Sequence, residues 1–255
     1  MGDKAGAQGL HTLSIDIGGS HLKASVLDST GAMLVDEVRV DTPKPCPPAV
    51  MLKALARMLE PIRNYDRISI GFPGVISDGC VVTAPHFGNR VWRGYPLAQA
   101  LAERFGKPAR LLNDAEVQGY GVITGRGVEL VLTLGTGAGS ALFRDGILMP
   151  HMELSQHPLH GKKTYDDYLG AKALKKKGKR KWNRRVQRAI MILHRLLNYD
   201  VLYIGGGNSE VLKSLPDGVF VVDNTAGITG GVRLWNAVAR NATARDHGPK
   251  AVDSR

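Results

Sequence analysis

The chain has 255 residues, 43% of them apolar, and a net charge of +11; this is typical of a globular protein with a substantial core and excludes disorder throughout. No apolar run reaches the roughly 18 residues of a membrane-spanning helix, and residues 1–12, which we expect to be a flexible lead-in, lack the apolar segment of a signal peptide. The two cysteines, Cys46 and Cys80, cannot form a disulfide framework or a four-cysteine zinc site, so we expect a cytoplasmic location.

The first part of the chain predicts an antiparallel meander. Apolar and alternating patterns predict strands over 13–17, 21–28 and 32–40, with a Gly-Gly turn after the first strand and a DSTG turn before the third. The elements expected after the meander are a helix over 50–62, strands over 67–72 and 80–85, a helix over 97–105, a strand over 109–113 and a helix to 123.

The same order of elements returns later in the chain. A strand over 129–134, a glycine-rich turn, a strand over 140–146 and a short third strand repeat the opening meander, which predicts two related lobes that face each other. The remaining expectations are an irregular polar stretch over 151–181, a helix over 182–198, strands over 201–207 and 219–222, and a helix over 226–239. The alternation of strands and helices predicts an α/β protein with mixed sheets.

Two glycine-rich turns follow equivalent strands. In the first, Asp16-Ile-Gly-Gly-Ser20, bare backbone N–H groups can hold a phosphate oxygen, and the Asp16 carboxylate can hold a hydrated Mg²⁺. The second, from Gly135 to Ser140, precedes a strand, so it is neither a P-loop nor a dinucleotide fingerprint. Each turn by itself is compatible with an ordinary hairpin, but their equivalent positions favour phosphate binding.

Three further segments have both a functional and a structural interpretation. Asp114, just after a strand, lies where open α/β sheets bind ligands, but it is also a competent helix N-cap, and judged alone the cap is favoured. The triple glycine that follows the strand starting at Val201 suits either a nucleotide or close packing. Glu153 lies near three histidines, His151, His157 and His160, yet without cysteines or HExxH spacing a metal site there is disfavoured.

The net charge comes mostly from one run. Residues 172–185, which begin with Lys172 and end with Arg185, contain nine basic residues and no acidic one; without them the net charge falls from +11 to +2. Such a run is usually a solvated surface, and its functional alternative is a site for a polyanion. Polyphosphate fits this alternative by counterion release. Nucleic acid is disfavoured because aromatic interleaving is limited to Trp182 and no folded recognition motif is present.

Taken in order, the segments LSIDIGGSHLKASVLD, ISIGFPGVI, LLNDAEVQGYG, LTLGTGAGSALFRDGILMP and LYIGGGNS resemble the ROK family of sugar kinases, in particular its small polyphosphate-dependent glucokinase branch. The resemblance implies a two-lobed α/β fold of the actin/hexokinase/Hsp70-like ATPase type, with mixed sheets and an interlobe cleft. The expected organisation is an N-terminal lobe over 13–113, a C-terminal lobe over 114–225 with a basic insertion at 151–185, a helix over 226–240 packed back on the N-terminal lobe, and a disordered tail over 241–255.

The resemblance also implies a reaction: phosphoryl transfer from polyphosphate or ATP to a hexose hydroxyl, with glucose as the favoured sugar, Mg²⁺ as cofactor and no zinc. It makes Asp114 the general base and Asp16 the residue that holds Mg²⁺ through water. The implied phosphate contacts are Asp16, Gly18, Gly19, Ser20, Lys23, Gly135, Thr136, Gly137 and Gly139. The implied sugar contacts are Asn89, Asn113, Asp114, Glu153 and His157. The implied nucleotide contacts are Gly205, Gly206 and Gly207.

The sugar site departs from the family pattern. Where the family commonly has Glu-x-Gly-His, this chain has Glu153-Leu-Ser-Gln-His157, and the asparagine expected near residues 86–89 is Asn89, although His86 has the more direct alignment. These departures keep two alternatives open: a sugar or phosphate sensor that has lost the chemistry, and a kinase for a different sugar. Family members are often dimers, so a homodimer is expected by analogy, and no membrane partner is expected.

Overall fold

The structure is a computed structural model that describes residues 9–235. Its first sheet, with the associated helices, comes from residues 12–113. The elements in chain order are β1 (Thr12–Ile17), β2 (His21–Leu27), β3 (Val38–Asp41), α1 (Pro48–Leu59), β4 (Arg67–Phe72), β5 (Ile76–Ser77), β6 (Cys80–Val81), α2 (Asn89–Trp92), α3 (Leu97–Phe105) and β7 (Ala109–Asn113).

The second sheet and its helices follow without a linker. Their elements are α4 (Asp114–Val122), β8 (Val128–Leu134), β9 (Ala138–Arg144), β10 (Ile147–Leu148), β11 (Pro158–His160), β12 (Lys163–Thr164), α5 (Tyr165–Leu169), α6 (Ala171–Leu197), β13 (Val201–Gly205), β14 (Val219–Val221) and α7 (Ala226–Thr229). Single 3₁₀ turns lie at Leu154–Gln156, Ser209–Val211 and Gly230–Val232.

The two five-stranded sheets have the same plan. Their strand orders are β3-β2-β1-β4-β7 and β10-β9-β8-β13-β14. In each sheet the three meander strands are antiparallel and the other two strands are parallel to the first meander strand. The repeated plan, the mixed sheets and the α/β class are therefore confirmed. The exact lobe boundaries, 13–113 and 114–225, stay a prediction.

Each sheet has its own apolar core. Along β1, Leu13 and Ile15 are fully buried in a cluster that also contains Leu55 of α1. The C-terminal core contains Leu132 of β8 together with Trp182 of α6, whose indole N–H donates to the Leu169 carbonyl at 2.7 Å. These cores fix the directions of β1 and β8, and so they fix where the two glycine turns lie.

Residues 226–235 return to the first sheet. The Ser14 hydroxyl donates to the Ile228 carbonyl and the Ser69 hydroxyl to the Gly231 carbonyl, both at 2.7 Å. The predicted C-terminal helix does begin at Ala226, but a 3₁₀ turn interrupts it after Thr229. Its continuation to 239 or 240, the predicted tail over 241–255 and the first eight residues of the lead-in lie outside the described residues.

The prediction of an irregular stretch over 151–181 is wrong for its second half. Helix α6 begins at Ala171, so the basic run is helical, with one interruption at Gly178 (φ 73°, ψ 158°). Lysine and arginine have high helix propensity, and the buried residues Ala173, Trp182 and Val186 give the helix an apolar face, which the density of charge hides in the sequence. Within residues 9–235, no helix is both long and apolar enough to cross a membrane.

Two predicted strands are shorter than expected. The strand predicted over 32–40 is paired only from Val38 onward, because the Ser25 hydroxyl occupies the Val35 carbonyl at 2.7 Å and Met33 makes one isolated bridge. The strand predicted over 80–85 ends at Val81, because the following N–H groups donate to Val75 within a turn.

The return of the C-terminal segment depends on a glycine. A Cβ atom at Gly230 would lie 1.9 Å from the Val117 carbonyl oxygen of α4, whereas a Cβ atom at Gly227 would lie 3.6 Å from its nearest neighbour, Asp16 Oδ2. We expect Gly230→Ala to lower the free energy of unfolding by about 2 kcal/mol or more, because backbone must move to admit the methyl group. Denaturant unfolding of both alanine variants checks this; equal stability of the two would contradict it.

Candidate active site

A cleft of about 540 Å³ lies at the carboxyl ends of the central strands of both sheets. It is lined by residues that follow β1, β4, β7, β8 and β13, which is the edge where open α/β sheets bind ligands. The predicted site residues that line it are Asp16, Gly18, Gly19, Ser20, Lys23, Asn113, Asp114, Gly135, Thr136, Gly137, Gly139, Glu153, Gly206 and Gly207.

The two glycine turns face each other across the cleft. In the first, the Gly18 N–H donates to the His21 carbonyl at 2.9 Å, and in the second the Gly135 N–H donates to the Gly137 carbonyl at 3.0 Å. A Cβ atom at Gly19 would lie 3.5 Å from Thr136 Oγ1, so little more than a van der Waals layer separates the turns there. The arrangement lets backbone groups of both lobes approach one anionic ligand.

Asp114 is not the N-cap of α4. Asn113 takes that role: its Oδ1 accepts the Ala115 N–H at 2.9 Å, and Glu116 Oε2 accepts the Asn113 N–H at 3.1 Å, which completes a capping box. The Asn113 amide also donates to the Gly74 carbonyl at 3.0 Å. The cap therefore leaves the Asp114 carboxylate at the cleft wall, where the Ala115 N–H is its one hydrogen-bond donor among residues 9–235.

The electrostatics of Asp114 suit a base. Burial, followed by the charge of Asp16, raises the pKa of Asp114 to about 7. Burial also raises the pKa of Asp16 above its ordinary value, and Lys23 partly opposes that shift. Two carboxylic acids thus share a desolvated region, and the Asp114 carboxyl exchanges its proton near neutral pH.

Glu153 occupies another part of the cleft wall. Its Oε1 accepts the Ser155 hydroxyl, and its Oε2 lies 3.7 Å from His151 Nε2. Burial raises the pKa of Glu153, but the contacts with His151 and Ser155 outweigh burial and hold the pKa below its usual value. Ser155, which stands where the family pattern has glycine, therefore supports the glutamate, and Glu153 is ionised at neutral pH.

Two predicted sugar contacts do not reach the cleft. Asn89 Oδ1 accepts the Ala84 N–H at 2.6 Å at the start of α2, and His86, which has the more direct alignment, lines the cleft instead. His157 is exposed, and the centre of its ring lies 6.4 Å from the centre of the Tyr165 ring.

The triple glycine divides between packing and the cleft. Gly205 lies inside β13, where a Cβ atom would come within 2.3 Å of the Gln118 amide, so this position serves close packing. Gly206 (φ 85°) lies against the backbone of Leu134, and Gly207 has open space where a side chain would be. Only Gly206 and Gly207 line the cleft.

Sequence reasoning missed Asp166 and Glu116. Asp166 lies in the first turn of α5, and its Oδ1 accepts the Ala138 N–H at 2.7 Å, which braces the second glycine turn. Burial raises the pKa of Asp166. Both acidic residues had a signal in the sequence, because each lies in the first turn of a helix that a capping-box pattern marks, Asn113 to Glu116 and Thr164 to Asp167.

The acidic residues of the cleft are compatible with a magnesium ion held mainly by water and phosphate. Within residues 9–235 no group of three or more His, Cys, Asp or Glu side chains could hold a metal ion by themselves. Mg²⁺ usually keeps several waters and binds through one or two carboxylates plus substrate phosphates. The buried Asp16 carboxylate beside the first glycine turn fits that mode of binding.

Comparison with known proteins identifies the family. The ROK family profile matches residues 12–153, which contain both glycine turns, Asp114 and Glu153. The chain belongs to the ROK family.

Two relatives indicate the branch, and a third protein shares the fold. The chain is 29% identical over 239 residues to a polyphosphate glucokinase from Mycobacterium tuberculosis (strain CDC 1551 / Oshkosh), covering 86% of this chain and 89% of the relative. It is 27% identical to an inorganic polyphosphate/ATP-glucomannokinase from Arthrobacter sp. strain KM, whose crystal structure matches with a TM-score of 0.81 over 91% of this chain and 99% of the other. A Streptomyces griseus ROK family glucokinase, solved with glucose and AMPPNP, shares the fold at 18% identity, with a TM-score of 0.73 over 88% and 98% of the two chains.

The raised pKa of Asp114 predicts a measurable effect on stability. Its carboxyl has a pKa of about 7 in the folded protein against 3.8 as an isolated group, so the folded state binds more protons between these values and its stability falls as pH rises through that window. Asp114→Asn removes this penalty, and we expect a gain that is absent at pH 4 and reaches up to about 4 kcal/mol above pH 7.

Thermal unfolding at pH 4, 6 and 8 measures the difference between the variant and the wild type. Asp217→Asn, at an exposed position, is the matched control and is expected to change stability equally at all three values. A gain for Asp114→Asn that does not depend on pH would contradict the raised pKa.

Proposed function

We propose that this protein is a sugar kinase that transfers a phosphoryl group from ATP or polyphosphate to a hexose hydroxyl, with glucose as the acceptor. One observation carries the proposal: the partly buried Asp114 carboxylate, two facing glycine turns and the ionised Glu153 line the same cleft. A base, a donor site and an acceptor site are the parts that phosphoryl transfer to an alcohol needs. The names of the M. tuberculosis and Arthrobacter relatives support the same reaction.

In the proposed mechanism Asp114 acts as the general base. Its carboxylate takes the proton of the sugar hydroxyl while the hydroxyl oxygen forms a bond to the terminal phosphorus of the donor. The bond between that phosphorus and the bridging oxygen breaks, and the remaining donor phosphate leaves with the electron pair. A pKa of about 7 suits this role, because the base is ionised near neutral pH and still basic enough to accept the proton.

The donor side is assigned to the two glycine turns. The N–H groups of Gly18, Gly135, Ala138 and Gly139 donate within the protein. The backbone N–H groups of residues 19–20 and 136–137, together with Lys23, are the ones placed to stabilise negative charge on the phosphates. Asp16 would hold Mg²⁺ through water, and the ion would supply positive charge to the donor phosphates. For a nucleotide donor, Gly206 and Gly207 are the glycines at the cleft, and Gly207 leaves room for the base.

The acceptor side is assigned to Glu153, with His86 in place of Asn89. The ionised Glu153 carboxylate can accept hydrogen bonds from sugar hydroxyls. Asn113 lines the cleft, but its amide is engaged by the helix cap and by Gly74, so we assign it mainly to holding Asp114 in place. His157 has no assigned contact.

The sensor alternative is not favoured. It rests on the departure from the Glu-x-Gly-His pattern, yet Ser155 holds Glu153 in the cleft, and Asp16 and Asp114 are both present. A kinase for a different hexose is tested with the same assay, and the Arthrobacter relative's name makes mannose the first competitor.

A coupled kinase assay with Mg²⁺ tests the proposal. We expect turnover with glucose, and we expect Asp114→Asn to reduce kcat by about 10²–10⁴-fold without loss of folding, because the sugar hydroxyl then has no base. Glucose, mannose and N-acetylmannosamine are each paired with ATP and with long-chain polyphosphate, and Asp217→Asn is the control. Absence of turnover with every pair, or full activity of Asp114→Asn, would overturn the assignment.

The choice of donor is linked to a basic cluster beside the second glycine turn, which we define as Lys163, Lys176, Lys177, Lys181 and Arg185. Mutual repulsion, with Arg185 as the largest contributor, lowers the pKa of Lys177. No ion pair with a carboxylate is found for these five side chains within residues 9–235. The cluster is therefore an unneutralised patch of positive charge.

The cluster is connected to the donor site through the start of α6. The Ala171 N–H donates to the Gly135 carbonyl at 2.9 Å, and the cluster lysines of α6 begin about 8 Å further along the helix axis. Arg185 folds back over α5, where its guanidinium lies 4.3 Å from the centre of the Tyr168 ring and donates to the Tyr168 carbonyl at 3.2 Å. A polyphosphate whose end lies in the glycine turns can continue onto this cluster, whereas ATP is too short to need it.

We expect the triple variant Lys163→Gln, Lys177→Gln, Lys181→Gln to raise the KM for long-chain polyphosphate by about tenfold or more, and to leave the KM for ATP within about twofold. The salt dependence of the polyphosphate KM also becomes shallower, because fewer counterions are released on binding. Steady-state kinetics at several salt concentrations measures both effects.

A second triple variant, Lys53→Gln, Arg57→Gln, Arg104→Gln, removes the same charge from exposed positions of α1 and α3 and serves as the control. Equal effects of the two triple variants would mean that net charge matters and the cluster does not. Unchanged polyphosphate kinetics in the first variant would remove the cluster from the donor site.

A further inference from the structure

His151 is a largely buried histidine that connects helix α4 to the Glu153 side of the cleft. It lies between β10 and the 3₁₀ turn at Leu154–Gln156, and its side chain is 14% exposed. Its Nδ1 lies 2.7 Å from Glu116 Oε1, and its Nε2 lies 3.7 Å from Glu153 Oε2. Nε2 is buried and has no hydrogen-bond partner among the described residues, and the Glu153 carboxylate lies within ion-pair distance of it.

Glu116 fixes one end of this connection. Its side chain is 6% exposed, and its second oxygen, Oε2, accepts the Asn113 N–H as part of the capping box. Both oxygens of Glu116 are therefore held, and Asp114 lies two residues before it in the same turn of α4. A displacement of the Glu116 carboxylate would displace the N-terminus of α4.

Glu153 is the other end. Ser155 holds its Oε1, and Gln156 donates to the Ser155 oxygen at 3.1 Å. A continuous series of polar contacts thus runs from the helix that carries Asp114, through Glu116 and His151, to the carboxylate assigned to the sugar.

Charge supports the connection. Burial by itself lowers the pKa of His151, but the contacts with Glu116 and Glu153 raise it to about 9. His151 is therefore an imidazolium at neutral pH, and both ring nitrogens carry a proton to donate. One buried cation lies between two carboxylates in a region that also holds Asp114 and Asp16, where an additional unpaired anion would be costly.

We propose that His151 is a positioning residue for the acceptor sugar: its ring holds the Glu153 carboxylate at a fixed distance from Glu116, and so at a fixed distance from Asp114. The sugar bound by Glu153 then presents its hydroxyl to the base. His151 itself lies outside the residues that line the cleft. The inference rests on the proposed sugar kinase function and names a residue that this function does not otherwise use.

The test is kinetic and uses the full chain. We expect His151→Phe, which fills the space without N–H groups, to raise the KM for glucose by about tenfold or more while the KM for the donor stays within about twofold. His151→Gln, which retains one N–H donor toward Glu153, is expected to restore part of the glucose affinity. The control is His157→Phe, a change at an exposed histidine of the same segment, which is expected to leave both constants unchanged.

A double-mutant cycle separates positioning from a general structural role. If His151 acts through Glu153, His151→Gln adds little to the glucose KM once Glu153→Gln is present, and the two effects are strongly non-additive. Additive effects, or an unchanged glucose KM in both His151 variants, would overturn the inference. The cycle uses glutamine variants only, so it stands even where His151→Phe does not fold.

Failure of the inference and failure of the proposed function give different results. Absence of wild-type turnover with every sugar and donor would reject the kinase function, and the role of His151 in it. If the wild type turns over and the glucose KM is the same in the His151 variants, the inference alone is rejected. If all kinetic constants of the His151 variants worsen by the same factor and the melting temperature falls as well, the role of His151 is in stability only.

Discussion

The geometry of the site depends on the cap of helix α4. Asn113 accepts the N–H group of Ala115, the second residue of the helix, and Glu116 closes the capping box. Asp114 is therefore not needed as the cap, although aspartate is a common cap at such a position. A helix terminus must satisfy its backbone donors before it can offer a carboxylate to a ligand. The chain meets that demand with the neighbours of Asp114, and the contacts to Gly74 and His151 extend from the same cap.

A second constraint is the concentration of acid in a desolvated cleft. Asp16, Asp114 and Asp166 all have a pKa above their ordinary value, and burial is the first cause in each case. Such groups lower the stability of the free protein, and the binding of a cation or a proton donor restores that stability. The two glycine turns contribute backbone N–H groups to the same space, so the cleft combines acidic side chains with backbone donors, which are the groups that the proposed donor phosphates and their cation would need.

Much of the fold could be predicted from the sequence, because the same pattern of strands and turns occurs twice in the chain. The strand, glycine turn, strand, turn and strand pattern occurs at 13–40 and again at 129–148, and both sheets confirmed it. Five of the nine glycines that line the cleft lie in these two repeats, so their place at the cleft followed from the pattern, whereas among the acidic residues of the cleft only Asp16 lies in a repeat. The spacing of residues could not show that Asn89 and His157 lie outside the cleft. Whether His86 or Asn89 faces the cleft depends on the conformation of a turn, and a turn has no periodic pattern in the sequence.

The helix over 171–181 was not predicted, because its many charged residues make the narrow apolar face difficult to recognise in the sequence. The link from Glu116 to His151 spans 35 residues, and a contact of that range leaves no local pattern.

The return of residues 226–235 has a consequence for how the chain is made. The hydroxyls of Ser14 and Ser69 bond to carbonyls that follow 214 and 162 residues later in translation order. At ribosomal speed the delay is on the order of 10 to 40 s. For that time β1 and β4 have α1 on one face, while on the opposite face α4 packs against β4 and residues 226–235 are still missing. The first sheet is therefore only partly covered while the second is being synthesised, and its packing is completed only when residues 226–235 are made.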